Sequence, residues 1–182
     1  VCTNRACGCR PMRYFGDRST SPFPTMETSP TPIEPDALDP LYRTDLKQII
    51  EAMPAARHLG VVVTGFDKAG RSRVELTIRR EHTFNGRTVQ AGIVGALADF
   101  AGVSASAAVL GEGWMASTTG FELHNLAPAN GSRLIAIGRP LTANRTHGVA
   151  TVTVFSVGAQ DDPIVVAHAT TICRPFRLSQ GG

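Results

Sequence analysis

Between Arg87 and Glu112 the chain carries one ionisable side chain, Asp99, within the run IVGALADFAGVSASAAVL, where nearly every other residue is apolar or small. An isolated carboxylate among such neighbours costs several kcal/mol unless it is paired, hydrogen-bonded or opened to a cleft. It is therefore either a group that acts on a ligand, or part of a helix face that meets solvent or an arginine elsewhere in the fold. The preceding stretch, TVQAG, introduces the helix. Backbone N–H groups near Ala91 and Gly92 then form an uncapped, positive helix end. Such an end can polarise a carbonyl oxygen, and glycine at position 92 lets a ligand approach closely. Gln90 and Asp99 are nine positions apart, roughly 13 Å in a helix, so one reacting carbon cannot touch both. If both act on one bond, they come from two antiparallel copies of the helix, and a twofold dimer builds two composite sites.

Other reactive residues form no such arrangement. His58, His82, His124, His147 and His168 lack metal-ligand spacing and are expected to be structural or at the surface. Cys2, Cys7 and Cys9 read C-x4-C-x-C, without a fourth partner or zinc-site spacing, and are expected to be unpaired thiols in a tail. Ser104 and Ser106 fit as small packing residues, and no G-x-S-x-G elbow is present to support a serine hydrolase. No metal or tightly held cofactor is implied.

The elements that must position Asp99 follow from periodicity. Residues 1–40 are rich in Pro, Ser, Thr and Arg, and SPFPTMETSPTPIEPDALDP holds six prolines. This stretch reads as a disordered extension, with translation expected to begin near Met26. Leu41–Met53 places Leu41, Leu46, Ile49, Ile50 and Met53 on one stripe, an amphipathic helix that Pro54 should stop. Two extended segments follow, 58–66 and 71–80, joined by the turn DKAG; Val74, Leu76 and Ile78 alternate against charged neighbours. A long helix spans about 91–110. Strand patterns then recur at 115–126, 134–141, 148–157 and 164–173, with PANG and QDDP reading as hairpin turns. One long apolar helix among antiparallel strands gives an α+β class, a curved sheet wrapped around that helix. The domain is expected over 41–176, with a flexible tail at 177–182.

Composition narrows the partners. Four arginines against one aspartate in residues 1–25 account for the whole net charge of +3, leaving the rest neutral. That argues against a nucleic-acid-binding face. The run from Thr88 to Gly111 approaches membrane-span length but is broken by Gln90, Asp99, Ser104 and Ser106, so it reads as a buried helix and no membrane partner is expected. The N-terminus has no apolar secretory segment, and a cytoplasmic setting is expected.

The runs NGRTVQAGIVGALADFAG and STTGFELHNLAPANG together resemble the PaaI-like hot-dog-fold acyl-CoA thioesterases, with similar element order over roughly 53–175. That family shows a loop Asn and Gly, then His-Gly-Gly or Gln-Gly-Gly, with Asp nine positions after the His or Gln. A Thr or Ser follows on the next strand, which closes in an aliphatic-x-Pro-Ala turn. The resemblance implies that Asp99 is the nucleophile or the base that activates water, and that Gln90 contacts the thioester region. It further implies that the Ala91 N–H binds the thioester oxygen and that the Thr118 hydroxyl holds the attacking water. Asn85 with Gly86 match the loop pair, and Arg145 falls where CoA phosphate could be met. An acyl-CoA substrate and a homodimer or tetramer (a dimer of dimers) are implied with them. The sequence departs from the pattern in three ways. Ala91 replaces glycine, Gln90 cannot carry a proton, and Asn85 sits one position closer to the helix. Strand alternation leaves Ser117 and Thr119 as alternatives to Thr118. Two rival readings remain: a hot-dog protein that binds acyl-CoA without cleaving it, and a hydratase, whose D-x-N-P-x-H type motif is absent.

Overall fold

The computed structural model describes residues 38–160 and 162–178; the extension up to residue 37, with its cysteines, and the tail beyond 178 lie outside them. Two short helices come first, α1 (Thr44–Ala52) and α2 (Pro54–Leu59), then strands β1 (Val61–Phe66) and β2 (Ser72–Thr77). A 3-10 turn (Arg80–His82) leads to the long helix α3 (Ala91–Ala108). Four strands complete the chain: β3 (Trp114–Asn125), β4 (Arg133–Ala143), β5 (Gly148–Val157) and β6 (Pro163–Arg177). The strands form one curved antiparallel sheet in the order β1-β2-β4-β5-β6-β3.

The sheet wraps α3 because alternate strand residues and one side of the helix are both apolar. Leu97, Ala98 and Ala101 of α3 are fully buried against Val74, Leu76, Leu134, Ala136, Val152 and Val154. Intervening residues Ile135, Ile137, Phe155 and Val157 form a separate cluster without α3 residues. Small residues set the close helix–sheet distance. A Cβ at Gly102 would stand 2.6 Å from Thr171 Cγ2 and 2.8 Å from Val152 Cγ2. Ser72 Oγ donates to the Ala101 carbonyl at 2.6 Å, crossing from β2 to the helix. Although α3 has the length and composition of a membrane span, most of it is buried within this domain.

Helix α1 ends at Ala52, ahead of Pro54 as expected, and Pro54 then opens α2, where its fixed φ and missing N–H are harmless. Two local expectations are corrected. The stretch from His58 to Gly60 is therefore not strand; α2 runs to Leu59 and Gly60, at φ 74°, turns the chain into β1. PANG is no hairpin, because β3 pairs with β6 whereas β4 lies between β2 and β5.

Candidate active site

Asp99 lies halfway along α3 on the side away from the core, above Gly92, Gly95 and Ala96 at helical spacing. Its carboxylate accepts one hydrogen bond donor, Thr118 Oγ1, at 2.9 Å to Oδ1 and 3.1 Å to Oδ2. No ion pair to Asp99 forms among the described residues. Burial pushes the Asp99 carboxyl above its ordinary range, and the Thr118 hydroxyl partly opposes that. A bulge follows Thr118, where the β3–β6 register shifts between Thr118 and Gly120. Thr119 Oγ1 donates to the Ile172 carbonyl at 3.2 Å, so it is Thr118 that faces the helix.

Two concavities meet at this pair. An open furrow of about 520 Å³ runs along α3 past Ala91, Gly92, Gly95 and Ala96 to Asp99 and Thr118, with Phe121 and Leu123 of β3 as its wall. On the other side of the carboxylate, an apolar cavity of about 190 Å³ is lined by Leu46, Ile50 and Met53 and by Phe100, Val103 and Met115. Ser117 lines this second cavity as well. An engineered apolar cavity of about 150 Å³ admits benzene, so this space has room for a small apolar group.

The helix start is braced from outside. Gln90 N donates to the His82 carbonyl at 2.8 Å and Val89 N to the Ala129 carbonyl at 3.0 Å. His82 is buried and its Nδ1 accepts from the Arg79 amide at 3.1 Å; burial holds its pKa below the usual histidine range. No side chain caps α3. The Ala91 and Gly92 amides, in the first turn, find no acceptor among the described residues and remain available to an oxygen. A Cβ at Gly92 would meet nothing within 4 Å.

The furrow thus brings together Asp99, Thr118, Ala91 and Gly92. The other residues singled out in the sequence lie elsewhere. Gln90 lines a neighbouring cavity of about 440 Å³ with Phe84, Leu126 and Pro128. Asn85 is committed to its own loop, its Oδ1 accepting from the Arg87 and Thr88 amides at 3.0 and 2.8 Å. Arg145 sits in the β4–β5 turn, closed by Asn144 Oδ1 accepting from the amides of Thr146 and His147. It lines neither the furrow nor the apolar cavity.

Two contributions escape the sequence. The α1 stripe supplies one wall of the apolar cavity, a use its periodicity cannot distinguish from core packing. Buried Arg43 anchors the far end of α3: its guanidinium donates to the carbonyls of Ala107 (2.6 Å) and Trp114 (2.9 Å) and pairs with Asp45 at 2.8 Å. Only the Arg-x-Asp spacing hints at this.

A long helix wrapped by one curved antiparallel sheet, its open side carrying the site, defines the hot-dog fold. Solved structures agree. A thioesterase family protein from Silicibacter pomeroyi superposes with a TM-score of 0.69 at 23% identity, covering 75% of this chain and 99% of that one. A phenylacetic acid degradation-related protein from Ralstonia eutropha gives 0.59 at 25% identity, covering 71% and 98%. The PaaI protein of the E. coli phenylacetic acid degradation operon gives 0.59 at 21%, covering 74% and 90%. The chain thus has the fold of the PaaI-like hot-dog thioesterases. No protein-family model and no curated protein matches by sequence.

Proposed function

We propose that the protein is an acyl-CoA thioesterase in which Asp99 is the catalytic carboxylate. The observation that carries this reading is a half-buried carboxylate, hydrogen-bonded among the described residues to Thr118 alone, at the junction of an open furrow and an apolar cavity. In this reading the acyl group enters the apolar cavity and the thioester carbonyl oxygen takes the free amides at a start of α3. Asp99 attacks the carbonyl carbon or deprotonates the water that does so. The C–S bond breaks, the thiolate leaves and takes up a proton, and the carboxylic acid follows.

Ala91 and Asp99 of one chain stand about 12 Å apart along the helix, so the carbonyl and the carboxylate are served by different protomers. A twofold dimer answers this. The edge strand β3 pairs only with β6 and is largely exposed, with Phe121 at 41%. Such an edge is a template for a second copy. Antiparallel pairing of two β3 strands continues the sheet and lays the furrow of one protomer against the α3 start of the other.

The test is thiol release from a panel of phenylacetyl-, benzoyl- and straight-chain acyl-CoAs. Asp99→Ala and Asp99→Asn should abolish turnover while the oligomer persists. Unchanged turnover in either variant overturns the assignment. Saturable CoA binding without thiol release in the wild type makes the protein a binder instead.

A further inference from the structure

Beyond the start of α3 the furrow is followed by two further concavities in sequence. Ala91 lines both the furrow and the cavity of Gln90, and Thr88 lines that cavity and a third one of about 810 Å³. The third differs in chemistry: Arg79, Arg80 and Arg87 line it together with Thr83 and Asn85, and no carboxylate does. Arg79 is engaged with Glu81 at 2.8 Å and with the His58 carbonyl at 2.7 Å. The guanidinium groups of Arg80 and Arg87 have no partner among the described residues. The backbone that carries them is fixed. Thr83 Oγ1 donates to the Arg80 carbonyl at 2.7 Å, Phe84 N to the Thr88 carbonyl at 3.1 Å, and Asn85 accepts from the Arg87 amide.

We infer that Arg80 and Arg87 hold the phosphates of the nucleotide half of coenzyme A. This rests on the acyl-CoA reading above, and it assigns the phosphate contact to these two residues in preference to Arg145 of the same protomer. Guanidinium groups match phosphate oxygens in charge and in fork geometry. The spacing fits as well. Arg87 precedes Ala91 by four residues, so their Cα atoms are at most about 14 Å apart. The pantetheine arm between sulfur and phosphate has about twelve bonds, the length of roughly four residues of extended chain. With the thioester oxygen on the Ala91 amide, the arm runs through the cavity of Gln90, Leu126 and Pro128 and delivers its phosphates to the arginines of the same protomer. Arg145 of the same protomer lies at the other end of that helix. Gly148, just after its turn, packs on Ser106, with a Cβ there falling 2.9 Å from Ser106 Cβ. Ser106 is about 22 Å along the axis from Ala91.

Calorimetric titration with adenosine 3′,5′-bisphosphate tests the site without any turnover. Wild type should bind, more weakly as salt rises, and the double variant Arg80→Ala/Arg87→Ala should bind about tenfold or more weakly, with an unchanged urea midpoint showing that it is folded. The same variant should lose the preference of the enzyme for an acyl-CoA over the same acyl group on N-acetylcysteamine. Equal nucleotide binding in the variant, no binding by the wild type, or loss of binding in Arg145→Ala alone overturns the inference. If binding depends on the two arginines but no thioester is cleaved, the phosphate site stands and the hydrolase reading falls. If thioesters are cleaved but the arginines are indifferent, the reverse holds.

Discussion

Thr118→Val removes one hydroxyl while keeping the shape of the side chain. In the native site that hydroxyl donates to both oxygens of Asp99, at 2.9 and 3.1 Å, against a burial that favours the neutral acid. A hydrogen bond to a charged group contributes about 1.5–3 kcal/mol, and the exposure of Thr118 places it at the lower end. Without the donor, burial acts unopposed and Asp99 becomes harder to ionise. Since about 1.4 kcal/mol corresponds to a factor of ten, the ionised fraction at a pH on the acidic limb falls about tenfold. The assay is kcat/KM by thiol release across the acid-to-alkaline range. The acidic limb should move to higher pH, the plateau above it should stay within about twofold, and Thr118→Ser should restore the wild-type profile. A limb that stays in place while the plateau drops would show that Thr118 acts on water or substrate rather than through Asp99. A limb moving to lower pH would contradict the sign of the whole argument.

The other predictions concern stability and assembly. Because the folded-state pKa of Asp99 is raised, the native protein binds more protons than the unfolded chain between the ordinary carboxylate pKa and the raised value. Stability is therefore lost as pH rises through that window. Asp99→Asn should have a higher urea midpoint than wild type at neutral pH, and the difference should vanish below about pH 4; an equal gap at both pH values would contradict it. Gly102→Ala drives a methyl group toward Thr171 and Val152 and should cost about 1–3 kcal/mol in chemical denaturation, where an unchanged midpoint would show that the helix can shift. Phe121→Glu places a charge on the exposed β3. It should yield a folded monomer by sedimentation, with turnover falling in step with the dimer fraction; a monomer with full turnover would remove the need for a composite site.

Long, strongly patterned elements were legible in the sequence. The α3 start at Ala91 and the whole of β5 fall where periodicity puts them, because each is fully specified by its own apolar pattern. What failed was partner choice and local geometry at Pro and Gly. PANG carries turn chemistry, yet turn chemistry does not say which strand β3 will pair with, and its neighbour β6 lies some forty residues on. Pro54 closes α1 as its type predicts, but the short helix α2 that it opens, with Ala56 packed into the core, was read as extended chain from residue 58. In the site, the isolation of Asp99 was visible because no other charge shares its helix. Its contact with Thr118 depends on the bulge at Thr118/Gly120, which no residue type announces. Arg80 and Arg87 carry no signal of their own in the sequence, since the concavity that joins them is closed by Asn130 and Gly131 from a distant turn.

In the proposed reaction Asp99 must ionise to act on a thioester, yet among the described residues burial opposes ionisation and the Thr118 hydrogen bond favours it. The floor of the furrow is built from small residues, and even Gly95 has Leu123 and Phe121 at 3.4 and 3.5 Å from where a Cβ would stand, so a second copy seated there would bury the carboxylate further. Burying a carboxylate costs several kcal/mol. Thr118 returns about 1.5–3 kcal/mol. The proposed dimer would bring a second opposing term, the positive start of the other α3, which contributes up to about 2 kcal/mol in partly buried geometry. The two donors oppose the penalty in part, which leaves the carboxyl above its ordinary range, and the second donor acts only in the dimer. In the proposed composite site, the assembly that excludes water from Asp99 would also be the assembly that favours its charged form, so that carboxylate chemistry and dimer formation would depend on each other.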